Sequence, residues 1–209
     1  MNKQNQPDEK IAVLIMLGGK STRMGGGIKS LIEFNNKNIF ERILNKVQPQ
    51  ISKIIVNCNE QEEKIKKYNL PIIKDIKKGY LGPLAGIHAG MHWLSNNHPQ
   101  MEWLITLPGD SPFIPSDLIL RFKNMITTKS NILLARSNKK IHPIIGAWKI
   151  NLLQDLEINL DKGTRKILEW AEIHNINFVD FSHNNYDPFF NINTKEDIIE
   201  ATQIEKKFL

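Results

Sequence analysis

Behind the apolar run IAVLIML at residues 11–17 the chain continues GGKSTRMGGGIKS, so that five glycines share one segment with Lys20, Arg23 and Lys29. Backbone N–H groups freed of side chains can approach a phosphate, and fixed cations collect where phosphate charge gathers. A plain glycine turn is the alternative, and Arg23 and Lys29 weigh against it. The spacing is that of neither familiar phosphate loop. A Walker loop ending in Gly19-Lys20-Ser21 would need a glycine where Leu14 stands, and no G-x-G-x-x-G can be read from Gly18 onward.

Further along, TLPGDSPFIP (106–115) sets Asp110 just beyond an apolar run. A carboxylate there suits Mg²⁺, which takes one or two acidic ligands and completes its shell with substrate phosphates and water. The alternative is an aspartate that caps the turn before Pro112. Asn57 in NCN (57–59) and Asp75 in IIKD (72–75) close two more apolar runs. Asn57 suits a ribose or base and Asp75 a purine edge, while either equally suits capping a helix. Gly82-Pro83 opens GPLAGI and lets a backbone approach the same region closely. His142 begins HPIIGAW as either a structural or a ligand-facing histidine. Asn191 and Asn193 in FFNINT either serve a turn or face a ligand. Cys58 has no metal-ligand partners nearby and reads as a buried thiol. His88 and His92 are too few donors for zinc.

Something must hold these residues together. Unbroken apolar runs at 11–17, 53–58, 71–74, 103–108, 131–136 and 143–149 read as strands covered on both faces. Helical spacings fill IFERILNKVQPQ, EEKIKKYN, AGIHAGMHWLSNN and SDLILRFKNMIT between them, the last with Ser116 as N-cap. The C-terminal third reads as helix (TRKILEWAEIHN), strand (NFVDF) and a helix opened by a capping-box-like Thr194-Lys195-Glu196-Asp197. Alternating strand and helix predict an α/β fold with a mostly parallel sheet, whose ligand sits at the carboxyl ends of the strands. We expect a flexible tail at residues 1–10 and a single domain over 11–209.

Composition narrows the function. A net charge of +6 without a basic block or interleaved aromatics gives no nucleic-acid surface, and no apolar run is long enough for a membrane helix. A single cysteine excludes an internal disulfide, and with the polar N-terminal segment it leads us to expect a cytoplasmic protein.

Taken in order, LGGKSTRMGGGIK, GPLAGI, PGDSPFIP, HPIIGAW and FFNINTKEDI resemble the motifs of the molybdenum cofactor guanylyltransferases, the MobA family, from about Ile11 to about Ile199. The resemblance implies a three-layer α/β/α sandwich, the nucleotidyltransferase variant of the dinucleotide-binding fold. It implies Mg²⁺-dependent transfer of GMP from GTP to the phosphate of molybdopterin or its molybdenum-loaded form, with release of pyrophosphate. By position, Met16, Leu17, Gly18, Gly19, Asn57, Asp75 and Gly82 would bind GTP. Lys29 would meet its phosphates with help from Arg23, Asp110 would bind nucleotide and Mg²⁺, and His142, Asn191 and Asn193 would lie toward the pterin. Other cofactor-biosynthesis proteins and molybdoenzyme chaperones are the implied partners. The chain departs from the family at Ile28, where an aspartate is usual, and at Leu17, where alanine is usual. A cytidylyl- or sugar-phosphate nucleotidyltransferase, or an inactive nucleotide-binding regulator, are the alternatives.

Overall fold

Six apolar residues in succession make β1 (Ile11–Met16) a strand buried on both faces. Its odd residues, with Leu17, pack into one hydrophobic cluster, and Ala12, Leu14 and Met16 pack into another. That period of two is what a strand between two helical layers requires. The computed structural model describes residues 10–17, 28–77, 79, 82–181 and 185–209. The assignments made above to Gly18, Gly19 and Arg23, and residues 1–9 of the expected tail, lie outside them.

After a 3₁₀ turn at Lys29–Leu31, a short hairpin of β2 (Glu33–Phe34) and β3 (Lys37–Asn38) leads into α1 (Ile39–Val47). Asn38 caps α1, its side chain accepting from the Glu41 N–H at 2.8 Å, a contact that typically stabilises a helix by about 1 kcal/mol. There follow β4 (Ile54–Asn57), β5 (Ile72–Ile73), α2 (Pro83–Asn97), β6 (Trp103–Pro108) and α3 (Leu118–Met125). The remainder comprises β7 (Ile132–Ser137), β8 (Lys140–Lys149), α4 (Leu153–Asp161), α5 (Ile167–Ala171), β9 (Ile176–Asp180) and α6 (Lys195–Phe208).

Seven strands form one sheet in the order β5-β4-β1-β6-β8-β7-β9. It is mostly parallel; β8 alone among these strands runs against both of its neighbours. Buried residues of α1, α3 and α6 pack with one face, and those of α2, α4 and α5 with the other. The three-layer α/β/α sandwich is thereby seen directly.

Three local expectations need correction. EEKIKKYN forms two 3₁₀ turns, Glu62–Lys64 and Lys66–Tyr68, bounded by Gln61 and Asn69 at φ 53°. Only Ile65 there is fully buried, too little apolar surface to hold an α-helix. Ser116 is not the cap of α3. Asp117 occupies that position without a capping bond, and the free N–H groups of Ile119 and Leu120 are met by Gln50 Oε1 at 3.1 and 3.3 Å. TRKILEWAEIHN shortens to α5 because Lys166 is extended, while Trp170 Nε1 and His174 Nε2 both bond Asp155 Oδ2 on α4. The Thr194 capping box on α6 is present as expected.

Candidate active site

From β1 the chain first builds outward through β4 and β5, then returns to place β6 on the other side of β1. The crevice at the carboxyl ends of two such diverging strands is where open α/β sheets bind ligands. Here the Gly109 N–H donates to the Met16 carbonyl at 2.9 Å, tying the exits of β1 and β6 together. A Cβ at Gly109 would stand 2.4 Å from Ser30 Oγ and 3.0 Å from the Met16 carbonyl oxygen, so glycine is a packing requirement. Over this junction lies a cavity of about 280 Å³.

The cavity gathers Met16, Leu17, Lys29, Asn57, Asp75, Gly82, Asp110 and Asn191 from the sequence-derived set. Gly82, at φ +74°, and Pro83 open α2 toward it. A helix N-terminus carries partial positive charge and suits an anion. Gly86, one turn on, lets the helix lie against the strand ends, since a Cβ there would meet Met16 Cε at 2.6 Å and Asn57 Oδ1 at 2.9 Å.

On the β4–β5 side a carboxylate is held at both oxygens. Asn57 Nδ2 donates to Asp75 Oδ1 at 3.0 Å and Asn59 Nδ2 to Asp75 Oδ2 at 2.9 Å, while the Asp75 N–H donates to Asn59 Oδ1 at 2.8 Å. Asn57 therefore does not cap a helix; its buried amide addresses Asp75.

On the β1–β6 side stand a cation and a second carboxylate. Lys29 Nζ donates to Asn193 Oδ1 at 2.9 Å. Asp110 has its Oδ1 buried without a hydrogen-bond partner. Burial pushes its carboxyl above the usual carboxylate range, and the Lys29 ammonium opposes that rise. An orphaned carboxylate oxygen is costly unless a ligand completes it, and a hard cation such as Mg²⁺ fits such an oxygen. Among the described residues no group of three or more His, Cys, Asp or Glu side chains gathers to hold a metal. Phosphates and water would thus have to supply most of its shell.

The segment before α6 crosses this side of the site. Phe189 and Ile192 are buried in the core, Asn191 accepts from Ser111 Oγ, and the Ile192 N–H donates to the Asp110 carbonyl at 2.9 Å. His142 is not among the cavity's lining residues. Its Nε2 lies 2.6 Å from Ser137 Oγ, which donates to Asp187 Oδ1 at 2.9 Å, and Asp187 Oδ1 also accepts from the Phe189 N–H. The Ser137 hydroxyl thus links the His142 imidazole to the Asp187 carboxylate. This group anchors the segment that carries Asn191 and Asn193. Burial holds the His142 imidazole below its ordinary pKa, against the pull of the Asp187 charge.

Ile28 rests half-buried against the main hydrophobic cluster, which gives this departure from the resembled pattern a packing role. Three residues escaped the sequence reading. Asn59 was visible in NCN but overshadowed by Asn57; Ser30, though it closes the glycine-rich segment, and Asp187 become legible only where chain segments meet.

Comparison with known proteins agrees with this fold. The pattern defining the MobA-like NTP transferase domain matches residues 13–176. The molybdenum cofactor guanylyltransferase of Nitrobacter hamburgensis is 35% identical over 193 residues, covering 91% of this chain and 92% of that protein. The protein of the same name from Yersinia pestis strain Pestoides F is 35% identical over 189 residues, 90% and 92% of the two chains. Among solved structures, molybdopterin-guanine dinucleotide biosynthesis protein A from Archaeoglobus fulgidus superposes with a TM-score of 0.74 at 24% identity, over 94% of this chain and 100% of that one. The 4-diphosphocytidyl-2C-methyl-D-erythritol synthase of Anaerococcus prevotii does so at 0.72 and 19%, over 96% and 98%. With a cavity at the strand crossover and relatives alike along nearly their full length, this chain belongs to the MobA-like NTP transferase family.

Proposed function

We infer that this protein is a molybdenum cofactor guanylyltransferase, transferring GMP from GTP to molybdopterin or its molybdenum-loaded form and releasing pyrophosphate. The observation that carries the reading is the meeting, in one cavity, of Lys29 and Asp110 on one side with the pinned Asp75 on the other. Its likeness to proteins of that name over nine-tenths of their length supports it. We assign the reaction to residues 11–209 as one catalytic unit acting in the cytoplasm.

A phosphate oxygen of the pterin attacks the α-phosphorus of GTP, a new P–O bond forms, and the bond to the β-phosphate oxygen breaks. The attacking oxygen is already anionic, so no general base is needed. What must be overcome is repulsion between two anions and charge growing on pyrophosphate. Lys29, held by Asn193, places a cation against the phosphates, and the α2 N-terminus adds a dipole. Gly18, Gly19 and Arg23, outside the described residues, are assigned to the phosphates from the sequence pattern alone. Mg²⁺ held at Asp110 would supply charge compensation for the triphosphate. Met16 and Leu17 offer backbone to the nucleotide, Asp75 accepts from the N1–H and 2-amino group of guanine, and Asn191 faces the acceptor. Holding the two reactants in line supplies much of the remainder.

The test is competition between GTP and CTP, with molybdopterin as acceptor and pyrophosphate release as readout, across a Mg²⁺ titration. GTP should be preferred by at least about tenfold, and release should require the metal. Preferential use of CTP would overturn the guanylyl reading, and nucleotide binding without turnover would indicate a regulator.

A further inference from the structure

Asn59 stands two residues beyond Asn57 on the strand exit, and Asp75 two residues beyond Ile73. β4 and β5 pair in parallel with Asn57 opposite Ile73. Continued by two residues, that register sets Asn59 opposite Asp75, just past the last paired residues. There the Asn59 side chain takes over from the ladder. Its Oδ1 accepts from the Asp75 N–H at 2.8 Å, and its Nδ2 donates to Asp75 Oδ2 at 2.9 Å. One amide therefore fixes both the main chain and the side chain of Asp75. Asn57 holds only the other oxygen, at 3.0 Å.

We propose that Asn59 is a specificity-determining positioning residue which, acting through Asp75, fixes the carboxylate as a rigid acceptor for a base that presents two parallel donors. This rests on the guanylyl reading above. Each carboxylate oxygen accepts about two hydrogen bonds. With one position on each already taken by an asparagine, one remains on each for the ligand. Guanine offers its N1–H and 2-amino group as a parallel pair that fills both. A carboxylate free to rotate adapts to other donors, such as the single exocyclic amine of cytosine. A fixed one leaves an acceptor unfilled, and such an unmet polar group is what rejects a wrong base strongly. Asn59, Asn57 and Asp75 all line the cavity, so the carboxylate they fix belongs to the site.

The experiment measures kcat/KM for GTP, inosine triphosphate and CTP, with molybdopterin as acceptor, in the wild type and four variants. These are Asn59→Ala, the isosteric Asn59→Asp, Asp75→Ala and the double variant Asn59→Ala/Asp75→Ala. Asn59→Asp keeps the shape and the acceptor for the Asp75 N–H but sets a like charge against Oδ2. Both single Asn59 variants should lower the preference for GTP over the other two nucleotides by roughly tenfold. In the Asp75→Ala background, Asn59→Ala should change that ratio no further, because a residue acting only through Asp75 has nothing left to act on. A residue that merely supports the fold would lower activity toward all three nucleotides equally. Wild-type ratios in both Asn59 variants, beside an eroded ratio in Asp75→Ala, would overturn this proposal and leave the guanylyl reading standing. Wild-type ratios in Asp75→Ala would overturn it too, by removing the group through which Asn59 acts. A wild type that prefers CTP would remove both readings together.

Discussion

Burying a carboxylate oxygen without a partner opposes folding, and Asp110 does so at the rim of the site. Because burial raises its folded-state pKa, the native protein holds the proton more tightly than the unfolded chain. Its contribution to stability is complete below the ordinary carboxylate value, about pH 4, and is lost as pH rises through the elevated folded value. Asp110→Asn should therefore raise the melting temperature at pH 7, and that gain should vanish near pH 4. The same variant should lose more than about 100-fold in kcat, the scale of one preorganised electrostatic contact. Calorimetry at two pH values beside turnover assays checks both halves. Unchanged kcat would remove Asp110 from the chemistry.

His88 has the opposite sign. It is 1% exposed and neither ring nitrogen has a hydrogen-bond partner. Burial depresses its pKa, and Glu157, whose Oε1 lies 3.9 Å away, only partly opposes this. Stability is then complete above about pH 6.5 and is lost as pH falls through the depressed folded value. Replacing an unsatisfied buried polar ring with an apolar side chain is often neutral or better. His88→Leu should match the wild type at pH 8 and exceed it at pH 5 in chemical denaturation. A larger loss at pH 5 than at pH 8 would refute the assignment.

At the scale of elements, α2 and the β6 exit are positioned by missing side chains. Gly86→Ala should push Asn57 aside, because Asn57 Oδ1 would lie 2.9 Å from the new Cβ. The expected outcome is a rise in KM for GTP with little change in melting temperature, since Met16 Cε can yield. Gly109→Ala meets backbone as well as Ser30 Oγ, so it should destabilise by about 1–3 kcal/mol, the usual cost of overpacking. Thermal unfolding of the two variants should separate them. The elements themselves were largely legible: β6 appears over the residues its apolar run marks, and the α6 capping box is where its motif stands. The turns at 62–68 misled because spacing does not reveal how little of a segment gets buried. Asn57, Asp75 and Asp110 declared themselves as polar residues ending apolar runs. Asn59 was overshadowed by Asn57 in the same tripeptide, and Asp187 was not legible because its partner Ser137 lies elsewhere in the chain.

Across the whole molecule, α6 is stitched to the first third of the chain. Arg42 stacks on Phe34 at 3.9 Å and pairs with Glu205, which also accepts from Asn35 Nδ2. The pair is mostly buried, with side chains 10% and 27% exposed. Breaking it leaves a guanidinium uncompensated, so Glu205→Ala should cost about 2–4 kcal/mol. Arg42→Ala should cost less in the Glu205→Ala background than in the wild type, a coupling that a double-mutant cycle reads directly.

The Lys29–Asn193 contact spans 164 residues, and this bears on how the protein is made. A chain emerging from the ribosome can pair β1, β4 and β6 and set Asn57 and Asn59 against Asp75 long before residue 193 has been synthesised. Until then Lys29 has no Asn193 to hold it, and the Asp110 carbonyl has no Ile192 N–H to meet. The Lys29–Asp110 side of the cavity is thus completed late, by contacts of the kind that are slow to form because they close long loops. On the proposed function, partly made chains should therefore be inactive. A chain ended at residue 181 should accordingly turn over no GTP, and adding residues 185–209 as a separate peptide should restore little, since the contact then has to be made between two molecules.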